Sequence, residues 1–325
     1  MLVATNFSPG SIETLINNPG YRGTFYANMK GRMLDVHADG LNIDFEGTSG
    51  TWRSQIQNFM AELTAYMHAE IPGCEVTFAG PAVNWSSAWN LPALAASCDG
   101  IFIMGYAFWG SWSSTSGPNA PLTGGSVNIT NTVTVQYANV PRQKLILGLP
   151  YYGGHWTTKT SAARSSVIDW IGSTRFYEDQ PNALIYGRQW DATSRTPWYR
   201  WHDGTDWHQV WYDDAESLGL KYDLADSENL QGVGMWALGY DRTRTELWDE
   251  LERRYYRNCT ARLPDFDGDR DVDQADFGHF QLCITGTDIP QNNAACARAR
   301  LDPDSDVDAN DVTLFTGCMA GPGGT

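Results

Sequence analysis

Basic residues are scarce in this chain of 325 residues, which has 22 Lys and Arg against 38 Asp and Glu and a net charge of −16. Such an excess of negative charge argues against nucleic acids and anionic membrane surfaces as partners. Long apolar runs are also lacking, since no stretch approaches the roughly 20 residues that a membrane-spanning helix requires. The sequence therefore predicts neither a nucleic-acid-binding protein nor a transmembrane segment.

Three further absences narrow the class of site. No glycine-rich phosphate loop follows the first apolar run, as a dinucleotide-binding fold would require. No cluster of His and Cys has the spacing of a catalytic zinc site, so we expect catalysis without a cofactor. The first ten residues show no basic leader followed by an apolar stretch. We expect such an export signal to have been lost with a missing N-terminal segment.

Cysteines are few, and they divide by region. Cys74 and Cys98 lie in the body of the chain, whereas the other four lie in the last 67 residues. Four cysteines in so small a region indicate an oxidising compartment, because a small domain gains much from cross-links. We therefore expect a secreted or cell-surface protein. The four allow three pairings, and Cys74 and Cys98 form either a disulfide or two buried thiols.

Short apolar runs alternate with helix-like segments such as Trp52–Glu70, which predicts parallel β/α architecture. Polar motifs follow several different runs, which favours a (β/α)8 TIM barrel over an open doubly wound sheet. Six runs leave such a barrel without two βα units, and we expect the first two to be missing. The six predicted strands are Leu2–Thr5, Leu41–Phe45, Val76–Ala79, Ile101–Met104, Leu145–Leu149 and Val233–Ala237.

Residues 156–225 form a long insertion between the last two predicted strands. The stretch Ala183–Tyr212 is rich in Trp and Tyr and is typical of antiparallel hairpins packed beside a cleft. The body of the chain ends near Arg257, after a predicted helix. We therefore expect a catalytic domain over residues 1–257 and a small α-helical domain over residues 258–325.

In the segment from Asp39 to Glu46, every second residue from Asn42 onward is polar. If Leu41–Phe45 is a strand, then Asn42, Asp44 and Glu46 lie on one face, which would point into the barrel. Acidic residues are costly to bury there without a purpose. A second carboxylate raises the pKa of the first, as a general acid near neutral pH requires. The alternative is a strand end whose acids are solvated.

Residues 39–46, DGLNIDFE, resemble the DxxDxDxE signature of glycoside hydrolase family 18, the chitinase-like family, with Asn42 in place of the central Asp. The segments Met104–Tyr106, Leu147–Gly153 and Gly232–Trp236 resemble later motifs of that family, in the same order. The resemblance covers nearly all of residues 1–257. Asn at this place is familiar in the branch that resembles spore-cortex glucosaminidases.

This resemblance implies a retaining, substrate-assisted glycosidase that acts on β-1,4-linked N-acetylglucosamine glycans, namely chitin, chito-oligosaccharides or peptidoglycan. It implies that Glu46 protonates the leaving oxygen and that Asp44 holds the acetamido N–H of the substrate. Tyr106 would direct the acetamido oxygen. The other residues expected to bind substrate are Asn42, Trp236, Asp39 and Met104.

One departure from the family pattern keeps a second function open. Ala107 follows Tyr106 where the family usually has an acidic residue that helps to order the sugar. A non-hydrolytic carbohydrate-binding protein of the same fold is therefore the alternative. The presence of Glu46 favours the enzyme, because a lectin-like relative would more often lose its catalytic acid.

The last 67 residues contain twelve Asp and four Arg but no Glu or Lys, which gives this region a charge of −8. Cys259 precedes Asp265 by six residues, and Cys296 precedes Asp302 by six, which indicates an internal duplication. The acidic residues of the first copy stand at positions 1, 3, 5 and 12 of a loop, where hard oxygen ligands wrap calcium. The second copy lacks two residues before Val307.

These paired repeats resemble a dockerin, the small calcium-dependent module that docks onto a cohesin partner on a scaffold. The alternative is an acidic spacer held by disulfides. The residues expected to bind calcium are Asp265, Asp267, Asp269 and Asp276 in the first copy, and Asp302, Asp304, Asp306 and Asp311 in the second.

Overall fold

A computed structural model of the protein describes residues 1–256, 264–267, 272–302 and 304–319. It divides into two compact units, Met1–Arg244 and Thr245–Thr325. This division precedes the predicted boundary after residue 257, which itself lies outside the described residues. Among the described helices, none combines the length and the apolar character needed to cross a bilayer.

A parallel sheet organises the first unit, and each of the six predicted strands forms one of its members. The strands are β1 (Leu2–Asn6), β2 (Gly40–Phe45), β3 (Glu75–Pro81), β4 (Gly100–Met104), β5 (Leu145–Pro150) and β11 (Gly232–Trp236). They pair in the order β1-β2-β3-β4-β5-β11. All residues of β2 are buried, as expected for a parallel strand covered on both faces.

Helices cover the outside of this sheet. Those that contact its strands are α1 (Pro9–Asn17), α2 (Pro19–Asp35), α3 (Arg53–Glu70), α4 (Leu91–Ser97) and α7 (Ala215–Ser227). The short α5 (Ile129–Asn131) precedes β5, and α6 (Phe176–Tyr186) contacts the inserted strands described below. A π-helical turn, Thr132–Gln136, continues α5. The amphipathic prediction for residues 52–70 is confirmed, because α3 buries Ile56, Phe59 and Leu63 on one face.

The insertion forms a second sheet, which is antiparallel. Its strands are β6 (Tyr152–Thr158), β7 (Val167–Arg175), β8 (Gln189–Asp191), β9 (Thr196–His202) and β10 (Trp207–Trp211), in the order β7-β6-β10-β9-β8. This confirms the predicted hairpins. Trp156, Trp198 and Trp211 form a common buried cluster between these strands. Much of the aromatic content of the chain therefore supports the insertion rather than the cleft.

The chain returns from the inserted sheet to β11 through α7. Lys221 on α7 forms an ion pair with Asp213, and both side chains are fully buried. Ser217 Oγ also donates to Asp213 Oδ1 at 2.6 Å. This buried ion pair holds the middle of α7 to the segment that follows β10.

The second unit contains α8 (Glu246–Leu251), α9 (Gln274–Gln281) and α10 (Ala309–Gly317). Phe280 of α9 and Phe315 of α10 are fully buried and pack together with ring centroids 4.7 Å apart. A disulfide joins Cys283 to Cys296, which selects among the pairings left open by the sequence. In the first unit, Cys74 and Cys98 are buried free thiols.

Candidate active site

Strand β2 places the predicted catalytic carboxylates at one edge of the sheet. Asn42 and Asp44 are 6% and 8% exposed, and Glu46 follows directly after the strand. The backbone N–H of Glu46 donates to Asn6 O of β1 at 3.0 Å, which fixes the position of the acid. Because the carboxyl ends of parallel strands share one edge, residues that follow neighbouring strands meet here.

Two adjoining cavities form the cleft at this edge. Asp44 lines one cavity of about 330 Å³ together with Asn42, Tyr106 and Trp236. Glu46 lines the other, of about 500 Å³, together with Met104 and Tyr106. Tyr106 lines both cavities and so stands between the two halves of one cleft. The structure therefore brings together six of the seven predicted catalytic and substrate-binding residues.

The two carboxyl groups differ in what raises their pKa. Burial raises the pKa of Asp44, and burial together with the charge of Asp44 raises the pKa of Glu46. Asp44 Oδ1 is buried and accepts no hydrogen bond from the described residues. Glu46 can therefore hold a proton at higher pH than an exposed glutamate, whereas Asp44 offers a free acceptor to a ligand.

Tyr106 is held as a neutral hydrogen-bond donor. Burial raises the pKa of its phenol, and the neighbouring Tyr152, Asp44 and Glu46 raise it further. Its ring packs edge-to-face against that of Tyr152, with centroids 5.9 Å apart. The hydroxyl therefore remains protonated beside both carboxyl groups.

Asn42 is tied to the neighbouring strand instead of to Asp44. Its Nδ2 donates to Thr77 Oγ1 at 2.8 Å, and these two residues are opposite each other in the pairing of β2 with β3. The sequence signal for Thr77 was a single polar residue within the apolar run of Val76–Ala79. Its partner could not be read without the strand register.

Asp39 does not contribute to the cleft, which corrects its predicted role in substrate binding. It is exposed and precedes β2, so it lies at the end of the strand opposite to Glu46. Its backbone oxygen accepts from the N–H of Glu75 at 3.0 Å, at the start of β3. Asp39 therefore supports strand pairing at the far edge of the sheet.

Ala107 lies beside Glu46 in the larger half of the cleft. Its backbone has a φ of 58°, and its N–H donates to Asn119 Oδ1 at 2.8 Å. Asn119 Nδ2 in turn donates to Tyr152 O at 2.9 Å. Asn119 is 2% exposed and was not predicted from the sequence, because an isolated Asn 12 residues away carries no signal.

Two exposed indoles also line the half of the cleft that contains Glu46. Trp85 and Trp112 are each 69% exposed, and they belong to the loops that follow β3 and β4. Large exposed aromatic rings in a cleft offer flat apolar faces to a ligand. Trp85 was not singled out from the sequence, since nothing in its local pattern separates it from a packing residue.

In the second unit, the acidic residues form compact groups. Ligand oxygens of Asp265, Asp267 and Asp276 lie within 4.8 Å of one another, as do those of Asp302, Asp304 and Asp311. The remaining predicted ligand of the first copy, Asp269, lies outside the described residues. The two copies therefore place equivalent carboxylates together.

A third group joins Asp306 and Asp308 to Asp311 within the same 4.8 Å. All three side chains are buried, and Asp306 Oδ1 has no hydrogen-bond partner among the described residues. Asp308 was not predicted as a ligand, because its place at the start of α10 is also that of a helix cap. Three buried carboxylates in such proximity fit a hard cation.

Comparisons with known proteins agree with this geometry. The chain is 28% identical over 276 residues to rat di-N-acetylchitobiase, covering 74% of this chain and 73% of that protein. It is 28% identical over 210 residues to the cortical fragment-lytic enzyme of Bacillus subtilis, covering 61% of this chain and 46% of that enzyme. A GH18 chitinase from Cycas revoluta, solved in complex with (GlcNAc)3, shares the fold with a TM-score of 0.70 at 21% identity, covering 78% and 79%.

The family model described as "Glycosyl hydrolases family 18" matches residues 5–241, which include every strand of the parallel sheet except the first three residues of β1. The match also includes the carboxylate pair at the end of β2 and the Trp at the end of β11. The chain therefore belongs to family 18 of the glycosyl hydrolases.

Proposed function

We propose that this glycosidase hydrolyses β-1,4-linked N-acetylglucosamine glycans (chitin, chito-oligosaccharides or peptidoglycan) with retention, using the acetamido group of the substrate as nucleophile. The observation that carries this proposal is the environment of Asp44. Asp44 is a buried carboxylate whose Oδ1 accepts no hydrogen bond from the described residues, and it shares a cleft with Tyr106 and Trp236. An acetamido N–H would supply the missing donor.

In the first step, the carboxylic acid of Glu46 gives its proton to the glycosidic oxygen as the bond from that oxygen to C1 breaks. The acetamido oxygen of the same sugar forms a bond to C1, which yields an oxazolinium ion and a released sugar alcohol. Asp44 accepts a hydrogen bond from the acetamido N–H and stabilises the positive charge. Tyr106 donates to the acetamido oxygen and sets its direction of attack.

In the second step, the carboxylate of Glu46 takes a proton from water, and the water oxygen bonds to C1 from the side that the leaving group vacated. The bond between C1 and the acetamido oxygen breaks as this new bond forms, which restores the acetamido group. Two displacements at C1 give overall retention. With the proton taken from water, Glu46 is again a carboxylic acid and ready for another cycle.

A matched pair of substrates tests this chemistry. A chito-oligosaccharide is expected to be cleaved at least about a thousandfold faster than a cello-oligosaccharide of equal length, because a 2-hydroxyl cannot form the ring. Product release is measured by chromatography. NMR of the anomer that is first formed, before it equilibrates in water, establishes retention. Equal rates on the two substrates would rule out substrate assistance, and absence of any product would favour the non-hydrolytic alternative.

We also propose that the parallel sheet belongs to a (β/α)8 barrel. The outer strands β1 and β11 both face the cavity that Asp44 lines, through Val3 and Met235. Such curvature of a parallel sheet supports the barrel. The disulfide between Cys283 and Cys296 supports a secreted or cell-surface location, since such bonds persist in oxidising compartments.

The C-terminal unit is, in this proposal, a dockerin-like module that binds calcium and docks onto a cohesin-like scaffold partner. The carboxylate groups around Asp276 and Asp311 support this role. In both copies this buried Asp also accepts from a backbone N–H in the first part of its loop, that of Asp267 in the first copy and that of Asp302 in the second. The repeated arrangement supports an ion site built by duplication.

Calcium is expected to stabilise this unit. At about a hundred times its dissociation constant, calcium should raise the free energy of unfolding by about 2.7 kcal/mol per site. Calorimetry of the full chain with calcium or with a chelator measures this shift. Magnesium is the matched control, because it is smaller and requires stricter octahedral geometry. No calcium-dependent shift would contradict the metal site and favour an acidic spacer.

A further inference from the structure

A third cavity, of about 340 Å³, lies behind the loop that carries Trp85. Val83 and Trp85 of this loop line the half of the cleft that contains Glu46, whereas Asn84 and Ser87 line the third cavity. Consecutive Cα atoms are only about 3.8 Å apart. One short loop therefore separates the cleft from a second space on its far side.

The lining of this cavity is rich in amides. Asn90, Gln136 and Asn139 line it together with Arg53 and Trp89. No Asp or Glu occurs among its described lining residues, although the chain has a net charge of −16. Amides, a guanidinium and an indole are groups that hydrogen-bond and stack with neutral polar ligands.

Several donors of this lining are available. Asn90 Oδ1 accepts from Ala93 N at 3.3 Å, and Gln136 Oε1 accepts from Asn84 N at 3.4 Å. The hydrogen bonds within the described residues do not use the amide N–H groups of these two side chains. Arg53 Nε is buried and also lacks a partner there. The two amides are exposed, so a ligand that enters the cavity can replace water as the acceptor of their hydrogen bonds.

The loop between the two spaces is braced on both sides. Thr132 Oγ1 donates to Ala82 O at 2.8 Å, and Tyr137 Oη donates to Pro81 O at 2.9 Å. Arg53 Nη2 donates to the backbone oxygen of Ser87. A wall held in this way can bind a ligand without first being ordered, which lowers the cost of binding.

We propose that this cavity is a second binding site for the glycan strand that is cut in the cleft, and that it takes a sugar unit distant from the scissile bond. The proposal rests on the function proposed above. Hydroxyl and acetamido oxygens of such a unit would accept hydrogen bonds from the amide groups of Asn90 and Gln136. The site would favour long chains over short ones.

The variant Asn90→Asp with Gln136→Glu tests the site with little change in shape. Each acid keeps the oxygen that accepts from the backbone, so α4 stays capped and the loop stays braced. Each acid loses its N–H donors, however. We expect KM for a long chito-oligosaccharide or for colloidal chitin to rise about tenfold, as for the loss of two hydrogen bonds. kcat on a disaccharide reporter should not change.

The control carries the same added charge elsewhere: Asn28→Asp with Asn58→Asp, on exposed positions of α2 and α3. It should match the wild type on both substrates. An unchanged KM of the cavity variant on long chains would overturn the second site. If the wild type shows no activity on any N-acetylated substrate, the proposed function is overturned instead. Peptidoglycan and chitin are tested in parallel. A larger rise in KM for one of them identifies the polymer that the cavity binds.

Discussion

Replacement of Glu46 by Gln is expected to lower kcat for hydrolysis of a chito-oligosaccharide by about a thousandfold. Gln has nearly the same size and can occupy the same place between Tyr106 and the end of β2. It cannot give a proton to the glycosidic oxygen, and general acid catalysis typically contributes about a hundredfold to ten-thousandfold. Chromatography of the products measures the rate, and titration calorimetry should show that oligosaccharide binding remains.

The matched control is Glu75→Gln, because Glu75 is exposed at the opposite end of the same sheet. It should leave kcat unchanged. The pH profile of the wild type is a second test of Glu46 as the acid, since burial and Asp44 raise the pKa of Glu46. Activity should therefore persist to higher pH than for an exposed glutamate and fall once pH exceeds the raised pKa. Full turnover by Glu46→Gln would show that another group is the acid.

Replacement of Lys221 by Met is expected to lower the free energy of unfolding by about 3 kcal/mol or more at neutral pH. Lys221 and Asp213 are paired and fully buried, and Asp213 Oδ2 has no hydrogen-bond partner among the described residues. Removal of the lysine leaves a buried carboxylate without its counter-charge, a change that typically costs about 3 to 5 kcal/mol. Urea denaturation followed by fluorescence measures the loss.

The loss should depend on pH in a defined direction. Burial raises the pKa of Asp213, and Lys221 lowers it. Without Lys221 the folded-state pKa rises further above the unfolded value, so stability is retained at acidic pH and lost as pH rises through the folded-state pKa. The exposed Lys159→Met is the control and should change stability little. A double variant, Lys221→Met with Asp213→Leu, should recover much of the loss. An equal deficit at every pH would contradict the electrostatic cause.

The strands and their polar face could be predicted because the signal is local. Asn42, Asp44 and Glu46 alternate along one strand, and a side-chain period of two puts them on one face wherever the strand lies. Tyr106 and Trp236 could be predicted because they belong to ordered family motifs at the ends of other strands. Their presence in one cleft follows from the parallel sheet, which brings strand ends to one edge.

Other parts of the site had no local signal. Asn119 reaches the backbone of Ala107 from a loop, and Trp85 lies on a surface loop with no periodic pattern. Thr77 depends on the register of β2 with β3. The third cavity requires Asn90 and Gln136 to meet across 46 residues of chain. Contacts of this kind depend on loop closure and packing, which the composition of a segment does not specify.

The sequence by itself determined which side chains share a strand face and which charges repeat in the acidic region, because both follow from spacing along the chain. Only the tertiary structure decided that Asn42 binds Thr77 and leaves Asp44 with a free acceptor. Only the tertiary structure shows that Asp39 lies outside the cleft and that a third cavity lies behind Trp85. The physical reason is that these features depend on which elements become neighbours in space, and that choice is made by the packing of the whole fold.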